Sequence, residues 1–144
     1  MNTFEMKTVI HFGENALERL KDIPYKRVLI ITDPFVVQSK MIDLITEPLT
    51  RGGKEYDIFH NVVPDAPVDK IADGVKKFLS FQPEVVVAVG GGSAIDSSKA
   101  IREFALKINH YAEVGLIAIP TTSGTGSEAV SYTHLRAHET GAYL

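Results

Sequence analysis

Residues 85–100 read Val-Val-Val-Ala-Val-Gly-Gly-Gly-Ser-Ala-Ile-Asp-Ser-Ser-Lys-Ala, and this stretch decides the fold. Its first five residues form the continuous apolar run that is typical of buried parallel strands, and they predict a strand over 85–89. The three glycines at 90–92 have no Cβ, so the backbone there can adopt positive φ and approach a ligand closely. A helix is predicted from Ser93, which we expect to be its N-cap. A strand, a glycine turn and a helix N-terminus in this order favour an anion such as phosphate.

Apolar runs alternate with segments of helical spacing along the chain. The predicted strands are 7–12, 28–31, 55–61, 85–89 and 116–119, and the predicted helices are a brief one at 16–20 followed by 37–49, 68–80 and 93–108. The last helix is expected to bury a face made of Ala94, Ile101, Phe104, Ala105 and Ile108. This alternation predicts an α/β fold with a doubly wound, mostly parallel sheet and right-handed crossovers.

Polar residues follow the predicted strands at the end where each strand stops. Asp33 follows the strand at 28–31, Asp65 lies in the connection after the next strand, and Thr121 opens a hydroxyl-rich run at 121–127. In a doubly wound sheet these positions share the carboxyl edge, where ligands bind, so we expect them to form one site with the glycine turn. The simpler alternatives are that the glycines form a tight turn without a ligand and that Asp33 and Asp65 are turn residues.

The composition is that of an ordinary globular domain and excludes several classes of function. The chain has 144 residues, of which 44% are hydrophobic and 23% charged, enough for about one domain with a buried core. A net charge of −3 argues against nucleic acid as a partner, and the absence of cysteine excludes disulfides and thiolate metal sites. Neither a secretory signal nor an apolar run of membrane-span length is visible, so we expect a cytoplasmic protein without a membrane partner.

Two long motifs carry a resemblance to a known family. The sequences Gly-Gly-Gly-Ser-Ala-Ile-Asp-Ser-Ser-Lys-Ala at 90–100 and Ile-Pro-Thr-Thr-Ser-Gly-Thr-Gly-Ser-Glu at 119–128 resemble the iron-containing alcohol dehydrogenases. These are metal-dependent enzymes of dehydroquinate-synthase-like architecture with a Rossmann-type N-terminal domain. The segment before the glycines is most similar to the propanol dehydrogenase branch.

The resemblance implies the NAD(H)-binding half of an enzyme that interconverts short-chain primary alcohols and aldehydes by hydride transfer. It also implies Fe2+ or another divalent metal, held by one carboxylate and three histidines of a C-terminal helical domain that is absent here, and a homo-oligomer at full length. The positions matched to cofactor binding are Asp33, Asp65, Gly90, Gly91, Gly92, Ser93, Asp96, Thr121, Thr122, Thr125 and Ser127. No catalytic residue and no metal ligand is matched. The alternatives are a dehydroquinate-synthase-like or glycerol-dehydrogenase-like enzyme and a stand-alone nucleotide-binding module.

Each matched group has an expected role. Asp33 would accept hydrogen bonds from the adenosine ribose and favour NAD over NADP, and Asp65 would lie by the adenosine. The hydroxyls of 121–127 suit phosphate and ribose oxygens, although Thr125-x-x-Glu128 also fits a capping box. Asp96 is expected in the first turn of its helix, where a carboxylate complements the helix dipole and positions the turn.

The last residues depart from the family pattern. The resemblance covers residues 1–130, which it implies are the dinucleotide-binding domain. Residues 131–140 look like a translated sequencing-adapter fragment, so we expect residues 131–144 to be a tail that does not belong to the family and supports no inference about function. On a helix, His134 and His138 with Glu139 could face one metal, but the segment has no pattern of supporting residues around such a site.

Overall fold

The computed structural model of the chain describes residues 6–12, 16–65, 67–109, 114–121 and 129–135. The strands in these ranges are β1 (Met6–Phe12), β2 (Arg27–Thr32), β3 (Glu55–Phe59), β4 (Val85–Gly90), β5 (Gly115–Pro120) and β6 (Ala129–Leu135). The α-helices are α1 (Pro34–Gln38), α2 (Asp43–Arg51), α3 (Val68–Phe81) and α4 (Gly92–Asn109), and a 3-10 helix (Ala16–Asp22) joins β1 to β2. None of the helices in this described part is long and apolar enough to cross a membrane.

All the strands join one sheet in the order β1-β6-β5-β4-β2-β3. The four strands β5, β4, β2 and β3 are parallel, whereas β6 runs antiparallel to both β5 and β1. The predicted α/β fold with a mostly parallel sheet is therefore confirmed. Strand β6 crosses the domain boundary that the sequence predicts after Val130, and that boundary stays a prediction.

Helices cover both faces of the sheet, as a doubly wound fold requires. On one face α1 and α2 contribute Val36, Ile45 and Leu49 to a core cluster that includes Ile30 and Val87. On the other face α3 and α4 pack over Leu29 and Val86 with a second set of side chains, Val75, Phe78, Ala94, Ile101 and Ala105. Every residue of β4 is buried, which explains why its sequence is apolar without alternation.

The single helix predicted over 37–49 is two helices in the structure. Helix α1 ends at Gln38, and Lys40 then adopts a left-handed conformation with φ of 68°, which breaks the helix before α2 begins at Asp43. The helical spacing continues across the break because Met41, in the intervening turn, packs against the same core cluster as Ile45.

Three details of the predicted α4 are wrong. The helix begins at Gly92, so Ser93 lies inside it and is not its N-cap, and Asp96 falls beyond the first turn, which contains no acidic residue. Phe104 and Ile108 are 51% and 57% exposed, although the rest of the predicted apolar face is buried. Compared with the predicted orientation, the helix is rotated about its axis so that Arg102 faces the interior and Phe104 lies outside the buried face.

Candidate functional site

The order of the strands places a topological switch point between β2 and β4. The chain leaves β2 towards β3 and then returns past β2 to β4 and β5, so the direction of winding reverses between β2 and β4. Such a switch point, at the carboxyl ends of the strands, is where open α/β sheets bind ligands. Thr32 is in register with Val89, so Asp33 and Gly90 are the residues that meet at this switch point.

Gly90 occupies a position that only glycine fits. Its φ of +142° lies in a region that residues with a Cβ rarely adopt. A Cβ built there would stand 2.8 Å from the Cβ of Ala94 and 3.0 Å from Oδ2 of Asp33. The strand-to-helix turn therefore closes tightly against both the first turn of α4 and the carboxylate at the end of β2.

Gly91 and Gly92 differ from Gly90 because their outer side is open. Both are exposed, and a Cβ built on either one meets no heavy atom of the described structure within 4 Å. The backbone N–H groups of the first turn of α4 lie at the same place, since α4 begins at Gly92. The turn thus leaves room for a group to approach the backbone, and the free N–H groups and helix dipole favour an anion such as a diphosphate.

Asp33 is both a helix cap and a member of the site. Its Oδ1 accepts a hydrogen bond from the backbone N–H of Val36 at 3.0 Å, which makes Asp33 the N-cap of α1. Its Oδ2 is the atom that faces Gly90. The predicted turn role and the predicted ligand role are therefore compatible, because the capping hydrogen bond uses Oδ1 while Oδ2 faces the glycine turn, and the side chain is only half-buried.

Two threonines tie the neighbouring strand ends to the glycine turn. Thr32, which is fully buried, donates its hydroxyl to the carbonyl oxygen of Val89 at 2.7 Å. The backbone N–H of Thr121 donates to the carbonyl oxygen of Gly90 at 2.9 Å. Thr32 is not among the site positions predicted from the sequence, where its only signal is a hydroxyl that ends an apolar strand. These bonds fix the ends of β2, β4 and β5 relative to one another.

Of the remaining predicted cofactor-binding positions, three are exposed in the structure and three lie outside the described residues. Asp65 is exposed and has a left-handed φ of 52° in the turn after β3, a conformation that Asp adopts more readily than most residues. Ser93 and Asp96 are exposed on α4. Thr122, Thr125 and Ser127 lie outside the described residues. The structure thus brings together Asp33, Gly90, Gly91, Gly92 and Thr121 around the switch point.

The described residues do not form a metal site. Within the described ranges, no group of three or more histidine, aspartate or glutamate side chains is placed to hold a metal ion. His134 lies in strand β6, so the helical arrangement considered for it does not occur, and its proposed partners His138 and Glu139 lie outside the described residues. A metal does not fit the described part of the chain, and none of its residues is assigned to one.

Comparison with known proteins decides the family. The model of the iron-containing alcohol dehydrogenases matches residues 7–143. The chain belongs to the iron-containing alcohol dehydrogenase family. This membership confirms the resemblance of the motifs at 90–100 and 119–128, and it favours the alcohol dehydrogenases over the dehydroquinate-synthase type.

Individual relatives agree with this assignment. The 1-propanol dehydrogenase PduQ of Salmonella typhimurium is 37% identical over 131 residues, covering 91% of this chain and 35% of the relative, which confirms the similarity to the propanol dehydrogenase branch. The structure of an iron-containing alcohol dehydrogenase from Thermococcus thioreducens superposes with a TM-score of 0.71 at 28% identity, over 92% of this chain and 43% of that one. An NADH-dependent butanol dehydrogenase A from Thermotoga maritima gives 0.60 at 25% identity, over 70% and 27% of the two chains. The chain spans about a third of the length of the curated relative described here.

Proposed function

We propose that this chain is the NAD(H)-binding part of a metal-dependent alcohol dehydrogenase. The observation that carries the proposal is the glycine turn at the switch point. Gly90 is packed against Asp33 on the inner side, whereas Gly91 and Gly92 are open on the outer side. A molecule with a diphosphate next to a ribose suits this arrangement, because an anion matches the turn and a pair of hydroxyls matches a carboxylate.

The residues of the site would hold the dinucleotide and select it. The backbone N–H groups at Gly91, Gly92 and the first turn of α4 would donate hydrogen bonds to the diphosphate. Asp33 would accept hydrogen bonds from ribose hydroxyls and repel a 2′-phosphate in their place, which favours NAD over NADP. When bound, the nicotinamide supplies the hydride acceptor or donor for the carbon of the alcohol or aldehyde.

The other matched positions would complete the binding site. The hydroxyl groups of Thr121, Thr122, Thr125 and Ser127 would line the diphosphate and the nicotinamide side, because hydroxyls donate to phosphate and ribose oxygens. Asp65 would border the adenosine. Ser93 and Asp96 lie next to the turn on α4, where the charge of Asp96 suits a positioning role better than contact with a diphosphate of like charge.

The wider role follows from family membership. The whole enzyme would act on short-chain primary alcohols and aldehydes, with iron or another divalent metal held by residues outside the part of the chain described here. We also propose a cytoplasmic location and a homo-oligomeric assembly. Residues 131–144 are assigned no role in binding or catalysis.

The direct test is equilibrium binding of NADH to the 144-residue chain by calorimetry, with NADPH as the competing ligand. We expect saturable binding of one NADH per chain and weaker binding of NADPH. A folded chain, verified by circular dichroism, that binds neither nucleotide would contradict the proposal. Equal affinities would leave the site in place but remove the role assigned to Asp33.

A further inference from the structure

An exposed phenylalanine stands beside the proposed dinucleotide site. Phe35 is 65% exposed, although it lies between Pro34 and the fully buried Val36. A phenyl ring that stays mostly in water loses about 1–2 kcal/mol of the favourable free energy that burial would give it. The position of this ring at the carboxyl edge, two residues after Asp33, points to a ligand that covers it.

The backbone of Phe35 is held firmly relative to Asp33. Pro34 occupies the first position of α1, and Asp33 caps the same turn through Val36. The carbonyl oxygen of Phe35 accepts a hydrogen bond from the N–H of Ser39 at 2.9 Å. Because Val36 is buried in the core on the inner side of α1, the backbone of Phe35 is held in place at the carboxyl edge of the sheet.

Among the described residues, the other exposed aromatic side chains lie away from this edge. Phe104 is similarly exposed, at 51%, but it lies twelve residues along α4 from Gly92, which is about 18 Å at the rise of an α-helix. Tyr56 lies near the amino end of β3, away from the carboxyl edge. Val68, at the start of α3, is also exposed near that edge, but it offers no aromatic face.

We infer that Phe35 stacks on the adenine base of the bound dinucleotide. This inference rests on the proposed function, which places the diphosphate at Gly91 and Gly92 and the adjacent ribose at Asp33. The base joined to that ribose then extends past Asp33, away from the glycine turn, to the part of the carboxyl edge where Phe35 lies. Purine rings stack on aromatic side chains, so the ring would hold the base by contact area rather than by hydrogen bonds.

The chain contains no tryptophan, so Phe35→Trp places a single indole fluorophore at the proposed stacking position. The 144-residue variant is titrated with ADP-ribose, which carries adenine without nicotinamide, and with ribose 5-phosphate as a ligand that lacks the base. We expect saturable quenching by ADP-ribose and none by ribose 5-phosphate. In parallel, Phe35→Ala should weaken NADH binding about 5- to 100-fold, whereas the matched variant Phe104→Ala should leave it unchanged.

The possible outcomes separate this inference from the proposed function. Wild-type affinity for NADH in Phe35→Ala, with no quenching in Phe35→Trp, would overturn the inference while leaving the dinucleotide site intact. A change of oligomeric state in Phe35→Ala at unaltered NADH affinity would also overturn it, by showing that a second copy of the chain covers the ring. Failure of the folded wild-type chain to bind NADH would overturn the proposed function and this inference with it.

Discussion

Oδ2 of Asp33 lies 3.0 Å from the point where a Cβ on Gly90 would stand. The same carboxylate caps α1 through its other oxygen, so one side chain joins the end of β2 to the glycine turn after β4. These two strands are neighbours that meet where the winding direction reverses. A change at either residue therefore affects the geometry of the proposed site as well as the local stability, and the two effects can be separated by the choice of substitution.

Gly90→Ala should destabilise the fold. The added Cβ would meet the Cβ of Ala94 at 2.8 Å, and alanine at φ of +142° is strained. We expect the free energy of unfolding to fall by about 2–4 kcal/mol in a urea titration. Gly91→Ala is the matched control, since its Cβ meets no heavy atom of the described structure within 4 Å, and it should unfold like the wild type. Equal stability of the two variants would contradict the packing described for Gly90.

Gly91→Val should abolish NADH binding without unfolding the chain. The valine side chain extends into the open side of the turn, where the proposed diphosphate approaches the backbone. Calorimetry should show no binding, while the circular dichroism spectrum stays that of the wild type. Lys107→Ala, a change in the last turn of α4, is the control and should bind normally. Unchanged affinity in Gly91→Val would remove the turn from the binding site.

Asp33→Gly should narrow or reverse the preference for NADH over NADPH. Removing the carboxylate ends its repulsion of a 2′-phosphate, and we expect the ratio of the two dissociation constants to shift by about 10-fold or more. Asp33→Asn separates charge from capping, because asparagine caps helices as well as aspartate does. It should shift the ratio at nearly unchanged stability. A ratio that moves in neither variant would show that Asp33 serves only α1.

Arg102→Ala should destabilise the chain far from the site. Arg102 is 3% exposed and donates from Nε to the carbonyl oxygen of Val114 at 2.8 Å and from Nη2 at 2.5 Å, tying α4 to the start of β5. Removing the guanidinium leaves the buried carbonyl of Val114 without these donors. We expect the free energy of unfolding, measured by urea titration, to fall by about 2–4 kcal/mol. Arg51→Ala, which removes an exposed pair with Glu18, is the control and should change little. Similar losses in both variants would contradict the role of Arg102.

The sequence was sufficient to predict the architecture but not the rotation of α4. Strand and helix periods identified the alternation, and the apolar run of β4 marked the centre of the sheet. The helical spacing predicted that Phe104 and Ile108 are buried, because the prediction used only the positions of hydrophobic residues; both are exposed in the structure. Helical spacing does not predict that Arg102 faces the interior. Its burial is favourable because its guanidinium donates hydrogen bonds to the carbonyl oxygen of Val114, twelve residues along the chain.

The site could be located from the sequence, but its internal contacts could not. Glycines and polar residues after the strands predicted the carboxyl edge, and the structure brings Asp33 to Gly90 there. Which glycine is confined and which is open depends on backbone torsion and on neighbours from two other elements. The bond from Thr32 to Val89 likewise depends on the register of β2 with β4, which no local pattern encodes.

The 144-residue chain should bind NADH yet oxidise no alcohol. Hydride transfer requires the alcohol carbon to be held against the nicotinamide and an electrophile to stabilise its oxygen, which together lower the barrier by several kcal/mol or more. The described residues supply no group of three metal ligands. With NAD, 1-propanol and saturating ferrous or zinc ion, the absorbance of NADH should not rise above the background rate. NADH binding measured on the same preparation excludes unfolding as the cause.

Residues 131–144 need a separate control in this assay, because they contain His134 and His138, which could bind the added metal. Deleting residues 131–144 would remove most of β6, which pairs with both β1 and β5, and would confound loss of activity with loss of the sheet edge. Substituting His134 and His138 by alanine removes the two imidazoles and leaves the strand backbone in place. Metal-dependent turnover that persisted in this double variant would show that a catalytic site lies among residues assigned here only to binding the cofactor.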